Sequence, residues 1–149
     1  MVYFEDLDTP FDISMEDLPS WDDSEEHAAA HAGAVRNFEV VETAGSAIVV
    51  TYERNIRGVW QKARTRVTSF PPYCRFIEEL EGEFAGSRFV GGHRPDGTRM
   101  KIDIYGDIQS KTMTGETLRK YWLEVLATSH AEDVAALRAF RKRVASPTH

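Results

Sequence analysis

From Arg36 to Ser110 apolar residues recur at every second position, and after Gly115 they recur at helical spacing as far as Val144. That single change of period constrains the fold most, because it demands successive strands followed by one long amphipathic helix. Asn37–Glu42, Ser46–Ile56 and Val59–Phe70 read as three strands joined at Ala44-Gly45 and Arg57-Gly58, turns short enough to make neighbours antiparallel. Pro71-Pro72 breaks the pattern, Tyr73–Leu80 resumes it, and Phe84–His93 with Thr98–Ser110 form a hairpin about Asp96-Gly97. Ile48, Val50, Tyr52 and Ile56 share one face of their strand, whereas on the next strand Val59, Ala63 and Val67 lie opposite Trp60, Lys62, Arg64 and Arg66. Leu118, Tyr121, Trp122, Val125 and Leu126 then mark one face of the helix. The capping pair Ser129 and Glu132 predicts a bend near residues 128–130, with the helix resuming to about Arg143 and residues 145–149 frayed.

Ahead of the sheet, Val2–Asp8 reads as a strand that Thr9-Pro10 ends. A short helix holding Ile13, Met15 and Leu18 should stop at Pro19, and a second, opened by Asp22, Asp23, Glu25 and Glu26, should run to about Ala32 before Gly33. Residues 1–32 carry ten acids and no Lys or Arg, whereas residues 33–149 carry fourteen acids and eighteen bases. The net charge of −6 thus hides an acidic front and a mildly basic body. The front either guards an entrance against anions or solvates the outer faces of packed helices.

Net acidity argues against nucleic acid as a partner. No apolar run approaches the roughly 20 residues of a spanning helix, so stable membrane insertion is not expected. The opening MVYFEDLDTP has no basic region or apolar segment, and a cytoplasmic location is expected. Cys74 is the lone cysteine, which excludes an internal disulfide and a cysteine zinc site. Length and composition fit a single domain over 1–149, and nothing in the pattern specifies an oligomeric state.

A sheet of about seven strands with one apolar face has only the long helix as a large partner, which predicts an α+β fold, a curved antiparallel sheet gripping that helix. In this order of elements, with the opening strand Val2–Asp8, the segment Thr68-Ser69-Phe70-Pro71-Pro72-Tyr73, the hairpin Asp96-Gly97-Thr98-Arg99 and the terminal Glu132-Asp133-Val134-Ala135-Ala136-Leu137, the chain resembles the SRPBCC superfamily. Those START-related helix-grip proteins include the birch-pollen allergen fold, polyketide cyclases and coenzyme Q-binding proteins. The resemblance implies a cavity between sheet and helix that takes a small hydrophobic or amphipathic molecule, such as a lipid, isoprenoid or polyketide. It also implies two other roles, a polyketide cyclase or dehydratase and a protein-interaction module of the chaperone-activator type.

Candidate lining residues are Leu118, Tyr121, Trp122, Val125 and Leu126 on the helix, and Tyr52, Trp60, Tyr73, Phe89, Met100, Ile102 and Ile104 on the sheet. The same side chains serve equally as ordinary core, and the question is whether the middle of the domain is filled or hollow. A cyclase needs a general acid or base and a donor to a carbonyl, for which His93, Tyr121 and Arg88 are the leading candidates. Lys62, Arg64 and Arg66 form a basic ladder beside Trp60, either an anion clamp or a solvated outer face paired with Glu53 or Glu39. His27 and His31 have chelating i, i+4 spacing, but lack an evident third ligand beyond His93, so neither a metal nor any other cofactor is expected.

Overall fold

A computed structural model describes residues 1–71 and 74–146 of the chain. Its elements run β1 (Val2–Phe11), α1 (Leu18–Asp22), α2 (Glu25–Ala29), β2 (Val35–Ala44), β3 (Ala47–Ile56), β4 (Val59–Phe70), β5 (Cys74–Glu81), β6 (Arg88–Asp96), β7 (Arg99–Ile108) and α3 (Gly115–Ala145). The seven strands make one antiparallel sheet in the order β1-β7-β6-β5-β4-β3-β2. The predicted helix-grip architecture is therefore present, with two short helices after β1 and the long helix at the C-terminal end. No described helix is long and apolar enough to cross a membrane.

Several boundaries differ from those read in the sequence, each for a local reason. β1 runs through Thr9-Pro10 because it is an edge strand, where proline's missing N–H leaves no ladder bond unmade. Its register slips between Asp6 and Thr9, and Asp8 takes a positive φ of 61° to absorb the bulge. Pro19 sits in the first turn of α1 instead of ending a helix, a position that needs no N–H donor. Ser24 caps α2 by accepting the amide of His27. α3 is unbroken from Gly115 to Ala145, so the bend expected at residues 128–130 is absent; no proline or glycine interrupts the ladder there. Phe84 lies in the turn between β5 and β6, not in a strand.

Close packing of β6 on β7 depends on Gly106, where a Cβ would fall 2.2 Å from the Arg88 carbonyl oxygen. Gly91 approaches Ile104 in the same hairpin, the close approach that Gly91-Gly92 suggested.

Two main apolar clusters lie along the inner face. One joins Phe4, Phe84, Phe89, Ile108, Met113, Leu118 and Trp122. The other joins Phe11, Ile13, Leu18 and Trp21 of the front segment to Met100, Leu137 and Phe140. Five of the ten acids of the front are paired with bases of the body: Asp8 with Arg94, Asp12 with Arg99 and Arg141, Asp22 with Arg75, and Glu25 and Glu26 with Arg143. The segregated charge of the sequence is thus an interface between two parts of one chain.

Candidate functional site

α3 presents two stripes to the rest of the molecule. Leu118, Trp122, Leu137 and Phe140 are its buried core positions. Beside them Thr117, Tyr121, Glu124, Val125, Thr128 and Glu132, spaced by three or four residues, form one wall of a cavity of about 980 Å³. The opposite wall is Arg54, Asn55 and Arg57 at the end of β3, with Gly33, Ala34 and Val35 leading into β2. Phe84 and Trp122 supply aromatic surface within it. Arg57, Lys120, Glu124 and Thr128 are exposed, so the cavity opens to solvent between α3 and β3.

Behind the cavity, polar groups cross the inner face of the sheet. Arg54 donates through Nη2 to the Tyr52 hydroxyl and to Glu79 Oε1, each at 2.7 Å. The Tyr52 hydroxyl lies 2.9 Å from Thr65 Oγ1, which donates to Glu79 Oε2 at 3.0 Å. Glu79 has only 2% of its side chain exposed, so this ion pair is held away from water. The guanidinium also lies 5.2 Å from the Phe84 ring centre and 5.7 Å from that of Trp122. Burial opposes the Arg54 charge, but Tyr52 and Glu79 outweigh it and hold its pKa above the ordinary value. Burial raises the Tyr52 and Tyr121 phenols, against the nearby Arg54 cation, so both remain neutral hydrogen-bond donors at neutral pH. The indole Nε1 of Trp122 is buried and has no hydrogen-bond partner among the described residues.

The candidates named from sequence fall into distinct places. Tyr121, Trp122 and Val125 line the cavity. Phe89, Ile104, Leu118 and Leu126 pack around Trp122 as core, and Tyr52 reaches the cavity only through Arg54. Met100 and Ile102 belong to the cluster around Phe11 and Trp21 instead. Trp60 is not on the inner face: it alternates with Ala63 and Thr65, and Arg36 stacks over its ring at 4.0 Å. Tyr73 lies outside the described residues.

The catalytic candidates do not converge. Tyr121 stacks on Phe84, His93 sits by Phe11 with burial lowering its pKa, and Arg88 is exposed on β6. Lys62, Arg64 and Arg66 occupy the outer face, where Arg66 meets Glu78 and where Lys62 and Arg64 line a depression of about 540 Å³ shared with Glu53 and Glu81. The expected pairing of the ladder with Glu53 or Glu39 is not found among the described residues: Glu53 pairs with Arg36, and Glu78 is the acid that meets Arg66. Sequence reading missed Arg54 and Phe84. Arg54 shares its strand face with Val50, Tyr52 and Ile56, and a charge on that apolar face was the available signal.

No family model matches the chain, and no curated protein does. Solved structures do. The Zhui aromatase/cyclase from Streptomyces sp. R1128 is similar at a TM-score of 0.69 and 13% identity, over 95% of this chain and 94% of that one. A START superfamily protein from Mycobacterium smegmatis gives 0.66 and 14%, over 93% and 97%. Ara h 8.0201 gives 0.65 and 13%, over 92% and 98%. With seven strands around α3 and this likeness across nearly the whole chain, the molecule has the helix-grip fold that these START-like structures share.

Proposed function

We propose that the chain binds a small amphipathic molecule in the cavity between α3 and the end of β3, as a carrier or sensor. The observation that carries this reading is the pairing, in one 980 Å³ space, of aromatic walls with the partly buried Arg54 cation. Arg54 uses only Nη2 for Tyr52 and Glu79, and among the described residues no partner takes Nη1 or Nε. Trp122 Nε1 is likewise free. A guest with an aromatic or polyene body and a carbonyl, phenolate or carboxylate oxygen gives Arg54 the acceptor its Nη1 and Nε lack while its body lies on Phe84, Tyr121 and Trp122.

The test is titration with 8-anilinonaphthalene-1-sulfonate, which combines an aromatic body with an anionic group. Saturable binding should be abolished by Val125→Trp, which fills the cavity from α3, while the circular dichroism stays unchanged. Equal binding by the folded variant would refute the site.

A cyclase-like reading is favoured by one specific observation, a neutral Tyr121 phenol and the Arg54 cation on facing walls, able to protonate and polarise an enolisable carbonyl. The Zhui protein is an aromatase/cyclase by name. Under this reading a carboxylate of the lining, Glu124 or Glu132, takes the α-proton as Tyr121 protonates the enolate oxygen, the protein exchanges the α-proton of an aryl ketone in heavy water, and Tyr121→Phe loses exchange while retaining binding. A carrier shows no exchange at all.

A further inference from the structure

His27 and His31 meet α3 at Asp133. His31 Nε2 lies 3.0 Å from Asp133 Oδ1, and His27 Nε2 lies 4.0 Å from the same oxygen. One donor atom from each of the three side chains falls within 4.8 Å of the others. The remote nitrogens are held elsewhere. His27 Nδ1 is 2.9 Å from the Asp22 carbonyl, to which it donates, and His31 Nδ1 faces Glu132 Oε1 at 3.5 Å. The His27 contact fixes the tautomer that leaves its Nε2 as a lone pair, the arrangement that orients an imidazole on a metal, whereas His31 Nε2 faces the Asp133 carboxylate and gives up its proton when a metal binds.

A direct ion pair leaves this cluster incomplete. Asp133 Oδ1 is close to only one of the two rings, and both Asp133 Oδ1 and His31 Nδ1 are buried without a completed hydrogen bond among the described residues. Two ligands of a tetrahedral ion, each about 2.0–2.1 Å from it, stand roughly 3.3 Å apart. The separations of 3.0 and 4.0 Å bracket that value.

We infer that His27, His31 and Asp133 form a binding site for a divalent transition-metal ion of the zinc class. Two imidazoles and one carboxylate suit zinc or cobalt, whereas magnesium and calcium take oxygen-rich shells of six or more ligands. Bound there, the ion ties α2 to α3. Because His31 and Glu132 also line the cavity, it would stiffen the cavity's rim and leave its fourth position to water or an oxygen of the guest.

The test uses the full chain, free of any affinity tag and stripped with chelator. Zinc is added while the histidine ring nitrogens are followed by long-range proton–nitrogen correlation, which needs no variant. Shifts of both His27 and His31 Nε2 support the site; no shift, or shifts confined to His93 or His130, overturn it. Cobalt should give the intense visible absorption of a four-coordinate ion and quench Trp21, whose ring centre is 4.9 Å from that of His27. Asp133→Asn and His31→Gln should each weaken zinc binding by at least roughly tenfold, and Glu132→Gln by about tenfold through loss of the contact at Nδ1. Magnesium should not compete. Unchanged zinc affinity in folded Asp133→Asn and His31→Gln would contradict the assignment.

Discussion

Near its C-terminal end α3 lays Leu137 and Phe140 against Phe11, Ile13, Trp21 and Met100, all at most 8% exposed, while its earlier turns set Tyr121, Trp122 and Val125 around a cavity of about 980 Å³. The same helix therefore packs tightly at one end and, at the other, leaves an open groove beside the core cluster around Trp122. What differs is the partner that meets it. At the closed end the front segment folds in four large apolar side chains, Phe11, Ile13, Leu18 and Trp21, and ion pairs at Asp12, Asp22 and Glu26 hold that segment down. At the open end the sheet offers Arg54, drawn back by Glu79 and Tyr52, and a tethered charge cannot fill apolar space. A hollow here is the consequence of a polar residue held in place, with stability supplied from the other end.

That contrast breaks if the two ends respond alike to truncation. Trp21→Ala should cost about 3–5 kcal/mol in urea unfolding, because a nearly inaccessible indole leaves a cavity among close-packed neighbours. Tyr121→Ala, by comparison, should cost about 1 kcal/mol and act mainly on ligand affinity, since its ring already borders open space. Equal losses would remove the distinction between a structural end and a binding end.

Arg54→Met should cost about 3 kcal/mol, since it leaves the Glu79 carboxylate buried without its cation. The double variant Arg54→Met, Glu79→Met should recover most of that stability yet bind an anionic probe poorly. Stability measurements on the pair and a titration with the naphthalene sulfonate separate the two effects.

A pH series sharpens the join between the ends. Pairing with the Asp133 carboxylate raises the His31 pKa above its ordinary 6.5, with Glu132 adding to it and burial opposing. A raised folded-state pKa means the protonated form stabilises the fold. In metal-free buffer the advantage of the wild type over His31→Gln, about 1 kcal/mol, should be full below pH 6.5 and vanish as pH rises through the raised value. Smallest of all is Arg143→Gln, which removes the surface pairs to Glu25 and Glu26 and should lower the urea midpoint only slightly, and less still in 1 M salt.

The sheet and the helix were legible because burial on one face imposes a period that a single sequence displays. The strands other than β2, which buries no residue, the Asp96-Gly97 turn and the α3 stripe follow from it. Boundaries blurred where a residue's effect depends on its neighbours: Pro10 is harmless only because β1 is an edge strand, and Pro19 only because it opens a helix. The division of apolar residues between a filled and a hollow end was not legible. Met100 and Val125 have the same character in sequence, and only the arrival of Trp21 beside one and of Arg54 opposite the other separates them. Arg54 itself stood on the same strand face as Tyr52 and Ile56, and its partners Thr65 and Glu79 come from two other strands. Asp133 was hidden in the same way, 102 positions from His31 and facing it across the packing of α2 on α3.

The three tryptophans report on three places: Trp21 in the closed end, Trp60 on the outer face under Arg36, and Trp122 at the cavity. The most direct measurement is the indole N–H region of a proton–nitrogen correlation spectrum during titration with 8-anilinonaphthalene-1-sulfonate, with the Trp122 signal assigned from Trp122→Phe. A ligand chamber bounded by Arg54 and Trp122 predicts a large shift of the Trp122 indole, with Trp21 and Trp60 nearly unmoved. Movement of Trp21 or Trp60 with Trp122 stationary would contradict it.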